Sequence, residues 1–206
     1  MPLQRNEFLP QNLLTVYSSP SGMADVRTGL PYQAGGLVVG GYFDLTEAEA
    51  QNLSNNVLHT GRYRFVQVDS TATASNIKVG TVGLLKTLAL GVNFVTSFDK
   101  GLAAGLHAVV FINAPTATQI SAGAYIFVQE QGVALVTYRA ALTAAAPAVG
   151  DQVSTFAGGG GLVDDLTQSG NPTFTQLSNI IGQAIQLPTS GGQGLIALEP
   201  LSLWHG

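Results

Sequence analysis

The stretch "AGAYIFVQEQGVALVTY", residues 122–138, carries a single charged side chain, Glu130. Tyr125–Val128 and Val133–Val136 are two unbroken runs of β-forming residues, and the Gln131-Gly132 dipeptide between them reads as a hairpin turn. A hairpin with one face in water alternates apolar and polar residues. Here both faces of each strand are apolar, so something must cover the second face as well as the first.

The segments around this stretch carry the same texture. "YRFVQVDS" places Tyr63, Phe65, Val66 and Val68 at apolar positions, and "NIKVGTVGLLKTLAL", "VNFVTSF" and "LHAVVFINA" follow. Beyond the opening stretch come "PAVGDQVSTF", with a turn at Val149-Gly150-Asp151, then "GLVDDL", "IIGQAIQL" and "GLIALEPLSL". Short β-rich runs separated by Gly, Pro and Asn predict a mainly β chain, a small β-barrel or β-sandwich over residues 61–206. Residues 42–60 hold one short helix and a connection: "DLTEAEAQNLSNN" offers Asp44 or Thr46 as a cap, Glu47 and Glu49 at the positive end of the dipole, and Asn55-Asn56 as a stop.

Residues 1–41 form an irregular N-terminal arm. Pro2, Pro10, Pro20 and Pro31 break regular structure, yet Phe8, Leu9, Leu13, Leu14, Val16 and Tyr17 make it too apolar for a solvated linker. It packs either on another protein or back on its own domain.

Charge is scarce, at 10% of the 206 residues against about 25% in an ordinary domain. From Gly101 onward the only basic side chain is Arg139, and the acids are Glu130, Asp151, Asp164, Asp165 and Glu199. Soluble monomers disperse themselves with surface charge, so this half of the molecule is expected to be covered by protein. The net charge of −4 and the lack of any Lys/Arg cluster argue against nucleic-acid binding. There is no cysteine for thiolate or disulfide chemistry. No apolar run reaches the length of a membrane span, and "MPLQRNEFLPQNLL" has no signal-peptide core, so a soluble intracellular product is expected.

No catalytic constellation stands out. His59, His107 and His205 are widely separated and have no acidic neighbours at ligand spacing. "FAGGGGLVDD" has the glycines of a phosphate cradle but neither the following helix nor a basic residue, so Gly158–Gly161 reads as a flexible loop. "TSGGQG" at 189–194 reads as a hairpin turn, and Asp164-Asp165 as a solvated turn, with a bound cation as the lesser alternative. The expectation is a protein that is not an enzyme and has no cofactor and no metal.

The order of these segments resembles the head-decoration, or cement, proteins of tailed bacteriophages. The resemblance runs from about Gly61 to Leu198 and is carried by "VDSTATASNIKVGTVGLL", "ISAGAYIFVQEQGVALV", "PAVGDQVSTF" and "IIGQAIQLPTSGGQGLIALEPL". The matching positions are Gly132, Val133 and Ala134; Gly150, Asp151 and Val153; and Ile181, Gly182, Ala184 and Ile185. The first 60 residues depart from compact members of that family, whose arm is shorter.

The resemblance implies a β-tulip-like barrel made in the host cytoplasm and carried on the capsid surface of the virion. It further implies a homotrimer that binds the major capsid protein and ties neighbouring subunits together, without direct nucleic-acid or membrane contact. In that role Phe8, Leu13, Leu14, Tyr17 and Trp204 are the candidate capsid or subunit anchors, with Trp204 serving alternatively as a plug for one end of the barrel. Other virion parts (tail tube, head fibre, adhesin) are the first alternative, and a β-barrel enzyme or carbohydrate-binding module is the second.

Overall fold

The computed structural model describes residues 13–19, 39–53, 56–87, 93–97, 107–140, 148–155, 160–165, 180–188 and 192–199, without the side chains of 86, 87, 93, 94 and 165. Strands are β1 (Tyr42–Leu45), β2 (Gly61–Val68), β3 (Val82–Thr87), β4 (Asn93–Ser97), β5 (His107–Phe111), β6 (Tyr125–Thr137), β7 (Gln152–Thr155), β8 (Val163–Asp165), β9 (Ile180–Gln186) and β10 (Gln193–Leu198). Two short helices accompany them, α1 (Glu47–Leu53) and α2 (Ala117–Ser121). The chain is mainly β and contains a closed five-stranded barrel with further strands attached.

The barrel follows from the pairings. β2 pairs with β4 in parallel, and β4–β3, β3–β5, β5–β6 and β6–β2 are antiparallel, which returns the ladder to its start. Closure removes the edges that an open sheet would leave unpaired. Val66, Val68, Leu85, Val95, Val109 and Phe111 join Ile126 and Val128 in its core. Ile77 and Ile120 of α2 add to the same cluster.

The remaining strands build on the far half of β6. Its residues 132–137 pair with β10, and β10–β9, β9–β7 and β7–β8 follow, all antiparallel. β8 then returns to the end of β6 through a parallel bridge between Tyr138 and Val163, where Arg139 N donates to Val163 O at 3.0 Å. A second ring therefore closes on the same strand. Ala134, Val136, Tyr138, Val153, Val163, Ile181, Ala184, Ile196 and Leu198 fill it, packed against Val82, Ala108 and Val110 from the outside of the first ring.

This corrects the hairpin expected at Gln131-Gly132: β6 is one continuous strand of 13 residues. Gln131 pairs with Arg62 and Gln129 with Tyr63, so Glu130 is the extra residue of a β-bulge. Gly132 takes the left-handed conformation, φ +98°, that makes the dipeptide look like a turn. Gln129, wholly buried, folds along its own strand, and its Nε2 donates to the Val133 carbonyl at 2.5 Å and to the Gln131 carbonyl at 3.4 Å. A buried amide thus serves carbonyls that the bulge takes out of the ladder.

The first half of β6 is covered on both faces by its own chain. Ile126 and Val128 face the first ring, while Phe127 on the opposite face meets Phe43, Tyr63, Phe65, Ala50 and Leu13, contributed by β1, β2, α1 and the arm. β5 is apolar on both sides for a parallel reason: Val109 and Phe111 face the first ring, Ala108 and Val110 the second.

Local expectations fare variably. α1 starts at Thr46, whose hydroxyl accepts from Glu49 N at 3.4 Å while Glu49 Oε2 accepts from Thr46 N at 3.0 Å, a reciprocal capping box. Asp44 lies in β1 instead of capping, and Asn56 beyond the helix has φ +72°. Gly158 and Gly159 lie outside the described residues, but Gly160 and Gly161 are no loose loop: Gly161 is buried and its carbonyl accepts from Val82 N at 2.8 Å. Asp164 is no solvated turn either, being buried and paired with Arg139 Nε at 3.3 Å. Among the described residues no helix is long and apolar enough to cross a membrane.

Candidate interaction surface

Alternation along β6, β10 and β9 decides what this three-stranded sheet shows to the outside. Ala134 and Val136, Ile196 and Leu198, and Ala184 point into the second ring. Val133 and Leu135, Leu195 and Ala197, and Gln183 and Ile185 therefore point out, and none of these is fully buried. In register Leu135 faces Leu195 and Val133 faces Ala197, so apolar side chains stand next to one another across the ladder. The polar residues of this face are amides and a hydroxyl: Gln183, Gln186, Gln193 and Thr137. It carries no formal charge.

A bulge between Leu195 and Ile196 sets Leu195 opposite Gln186 and Ile196 opposite Ala184, leaving Ile185 unpaired. Ile185 (42% exposed) and Leu187 (36%) project at this corner. The Val149–Asp151 turn is pinned beside them, since Gly150 N donates to Ala184 O and Ala184 N to Asp151 O, both at 2.8 Å, which places Val149 (66% exposed) in the same corner. These are three of the five large apolar side chains left exposed among the described residues.

Beside the corner lies a cleft of about 480 Å³ lined by Asn56, Val57, His59, Leu135, Gln186, Gln193, Gly194 and Leu195. Its wall is the segment before β2, held in place by Tyr63, whose hydroxyl donates to His59 O at 2.8 Å and accepts from His59 N at 3.1 Å. Burial pushes the Tyr63 phenol well above its usual range. The His59 Nε2 atom is buried and has no hydrogen-bond partner among the described residues.

The sequence candidates separate into three groups. Leu13 is 2% exposed in the cluster of Phe43 and Phe65, and Tyr17 bridges to Tyr125 by main-chain bonds of 2.9 and 2.8 Å with its ring edge-on to Phe65 and Phe127. For these residues, of the two expectations for the arm, the structure shows it folded back on its own domain. Leu14 is 40% exposed. Phe8 and Trp204 lie outside the described residues.

The charged side chains of β1, β2 and the β6 bulge pair with one another. On β1 and β2, Asp44 pairs with Arg62 at 2.9 Å, and Tyr42 lies under the Arg62 guanidinium at 4.4 Å. The hydrogen bond that Arg62 donates to Asp44, and the negative charge of that carboxylate, raise the Arg62 pKa further. Arg64 makes a forked pair with Glu130 at 2.8 to 3.1 Å and donates to Gly40 O at 2.7 Å, which clamps the bulge of β6. Among the described residues no group of three or more His, Asp and Glu stands close enough to share a metal. Comparisons with protein-family models, curated proteins and solved structures give no match.

The sequence reading missed the corner and the cleft. Both depend on which residues a bulge expels and on how the segment 56–59 lies beside β6, neither of which has a local signal. The alternation of "QGLIAL" was the one available clue to an outward Leu195.

Proposed function

We propose that this protein is a non-enzymatic structural component of a phage capsid, binding the outer shell and fastening neighbouring capsid subunits in association with copies of itself. The observation that carries the reading is the charge-free outer face of β6, β10 and β9. A sheet face built from Val133, Leu135, Leu195, Ala197 and Ile185 among amides has the composition of an interface centre, where charged residues are depleted. Contiguous apolar patches on soluble proteins mark places where another surface sits.

The fold suits a load-bearing role because two closed rings give a rigid base with few unpaired edges. Fastening needs buried area, roughly 1,000 Å² or more for a durable contact, and several docked copies multiply it. On the shell side the reading assigns Leu14, exposed where the arm turns, together with Phe8 and Trp204. Co-sedimentation with intact phage heads tests this: the protein should pellet at a stoichiometry comparable to that of the major capsid protein. Protein that stays in the supernatant at every ratio would refute it.

A further inference from the structure

We propose that residues 13–19 are a strap that opens and closes over the first ring without unfolding it, and that the place they fill is a socket for an extended apolar strand. Neither property depends on binding to a phage shell. Three side chains hold the strap down. Leu13 is 2% exposed among Phe43, Phe65 and Phe127, Val16 packs on the core of the first ring, and Tyr17 lies edge-on to Phe65 and Phe127. Leu14, Thr15 and Ser18 are exposed.

The main-chain contact between strap and β6 is an isolated bridge, not a ladder. Tyr17 N donates to Tyr125 O at 2.9 Å and Tyr125 N to Tyr17 O at 2.8 Å. Closure of the first ring uses neither bond. β6 runs against β2 from Gln67 to Gly61, and Val68 N donates to Ala124 O at 2.8 Å beside the strap. Lifting the strap therefore breaks the Tyr17–Tyr125 bonds and uncovers an apolar face, while β6 keeps its partners.

Opposed effects set how readily this happens. Burial of Leu13 and the ring contacts of Tyr17 favour the closed form. The conformational entropy of residues 13–19 favours the open one. β6 meets the same entropic cost with ladders to β2 and β5, whereas the strap meets it with one bridge, so the strap opens at a lower free energy than the ring. Once open, it leaves the Tyr125 main chain available beside the apolar place of Leu13. Free main-chain groups next to an apolar pocket are what accept an added strand. The fit is defined by the arm itself, a Leu with a Tyr four residues on. In the closed form the resident strap shuts that socket to any competitor.

Native-state hydrogen exchange tests the opening on the unmodified chain. The Tyr125 N–H reports the strap and the Val68 N–H reports the ring. Tyr125 should exchange about tenfold or more faster than Val68, and only Val68 should respond steeply to urea up to about 1 M. Equal rates with equal urea dependence would overturn the strap, because it would then leave only when the ring unfolds.

A fluorescent peptide of residues 11–20, "QNLLTVYSSP", tests the socket. The resident strap competes from its tether at high effective concentration, so loosening it favours the peptide. The full-length Leu13→Ala chain should bind the peptide about tenfold or more tightly than the wild type does, and a peptide with the same substitution should bind neither chain. Equal binding of the unsubstituted peptide by both chains, or binding by neither, would overturn the socket.

Discussion

Gly61 and Gly132 lie directly opposite one another on β2 and β6, so close that a β-carbon on Gly132 would collide with the Thr60 carbonyl and the Gly61 α-carbon. The contact sits where β6 passes from one ring to the other. Two residues without side chains let the strands approach while the bulge at Glu130 turns β6 toward β10.

Gly132→Ala should therefore cost about 2–4 kcal/mol, combining the strain of a left-handed non-glycine residue with a clash against main chain. Thermal unfolding should show a drop of roughly 5–15 °C. Gly150→Ala is the control: φ is +94° but nothing lies within 4 Å of the added carbon. Its cost should stay near 1 kcal/mol. Equal losses for the two variants would mean that the close approach is not what matters.

Leu13→Ala should destabilise by about 2–4 kcal/mol because the side chain is buried among Phe43, Phe65 and Phe127. Leu14→Ser, one residue along, should change stability by less than about 0.5 kcal/mol. Urea unfolding separates them. Head binding is best probed with Leu14→Ser, since deleting residues 2–20 would also remove Leu13 and Tyr17 from the fold.

Alkaline pH should unfold the protein through Tyr63. Burial raises its folded pKa above the ordinary value of 10.0. The stabilisation is thus complete below the unfolded pKa and is lost as pH rises toward the folded value. Stability should stay level in this respect up to about pH 9 and fall above about pH 10. Tyr63→Phe should lose about 1 kcal/mol at neutral pH, through the two hydrogen bonds with His59, and show a shallower alkaline decline. An unchanged alkaline slope in Tyr63→Phe would remove the phenol from this account.

The second ring should depend on Arg139 and Asp164, which pair at 3.3 Å with side chains only 19% and 12% exposed. Replacing either by Ala should cost about 1–3 kcal/mol. The double variant should lose less than the sum of the two single losses. Hydrogen exchange should show early loss of protection at Val163 and Arg139, where β8 meets the end of β6. Strict additivity would indicate that the ion pair does not hold this closure.

Much of the architecture was legible locally. The apolar positions of "YRFVQV", the Thr46 start of α1 and the Val149–Asp151 turn all appear where side-chain pattern and capping chemistry put them. What failed was distance. Gln131-Gly132 carries a turn signature, and only Gly61, about seventy residues earlier, decides that the strand continues. α2 spans five residues, too few for a helical period, although Thr116 and Gln119 form a capping box that was there to be seen. For the arm, apolar content showed that Leu13 and Tyr17 need burial, but composition is silent on whose surface supplies it.

Because one covalent strand runs through both rings, pulling on either transmits tension straight into the hydrogen-bond ladder of the other. Force along the chain therefore loads both rings at once, and stretching a single molecule should give one rupture and not two. In the proposed role of a capsid fastener under outward pressure, that shared backbone would act as a tie-rod.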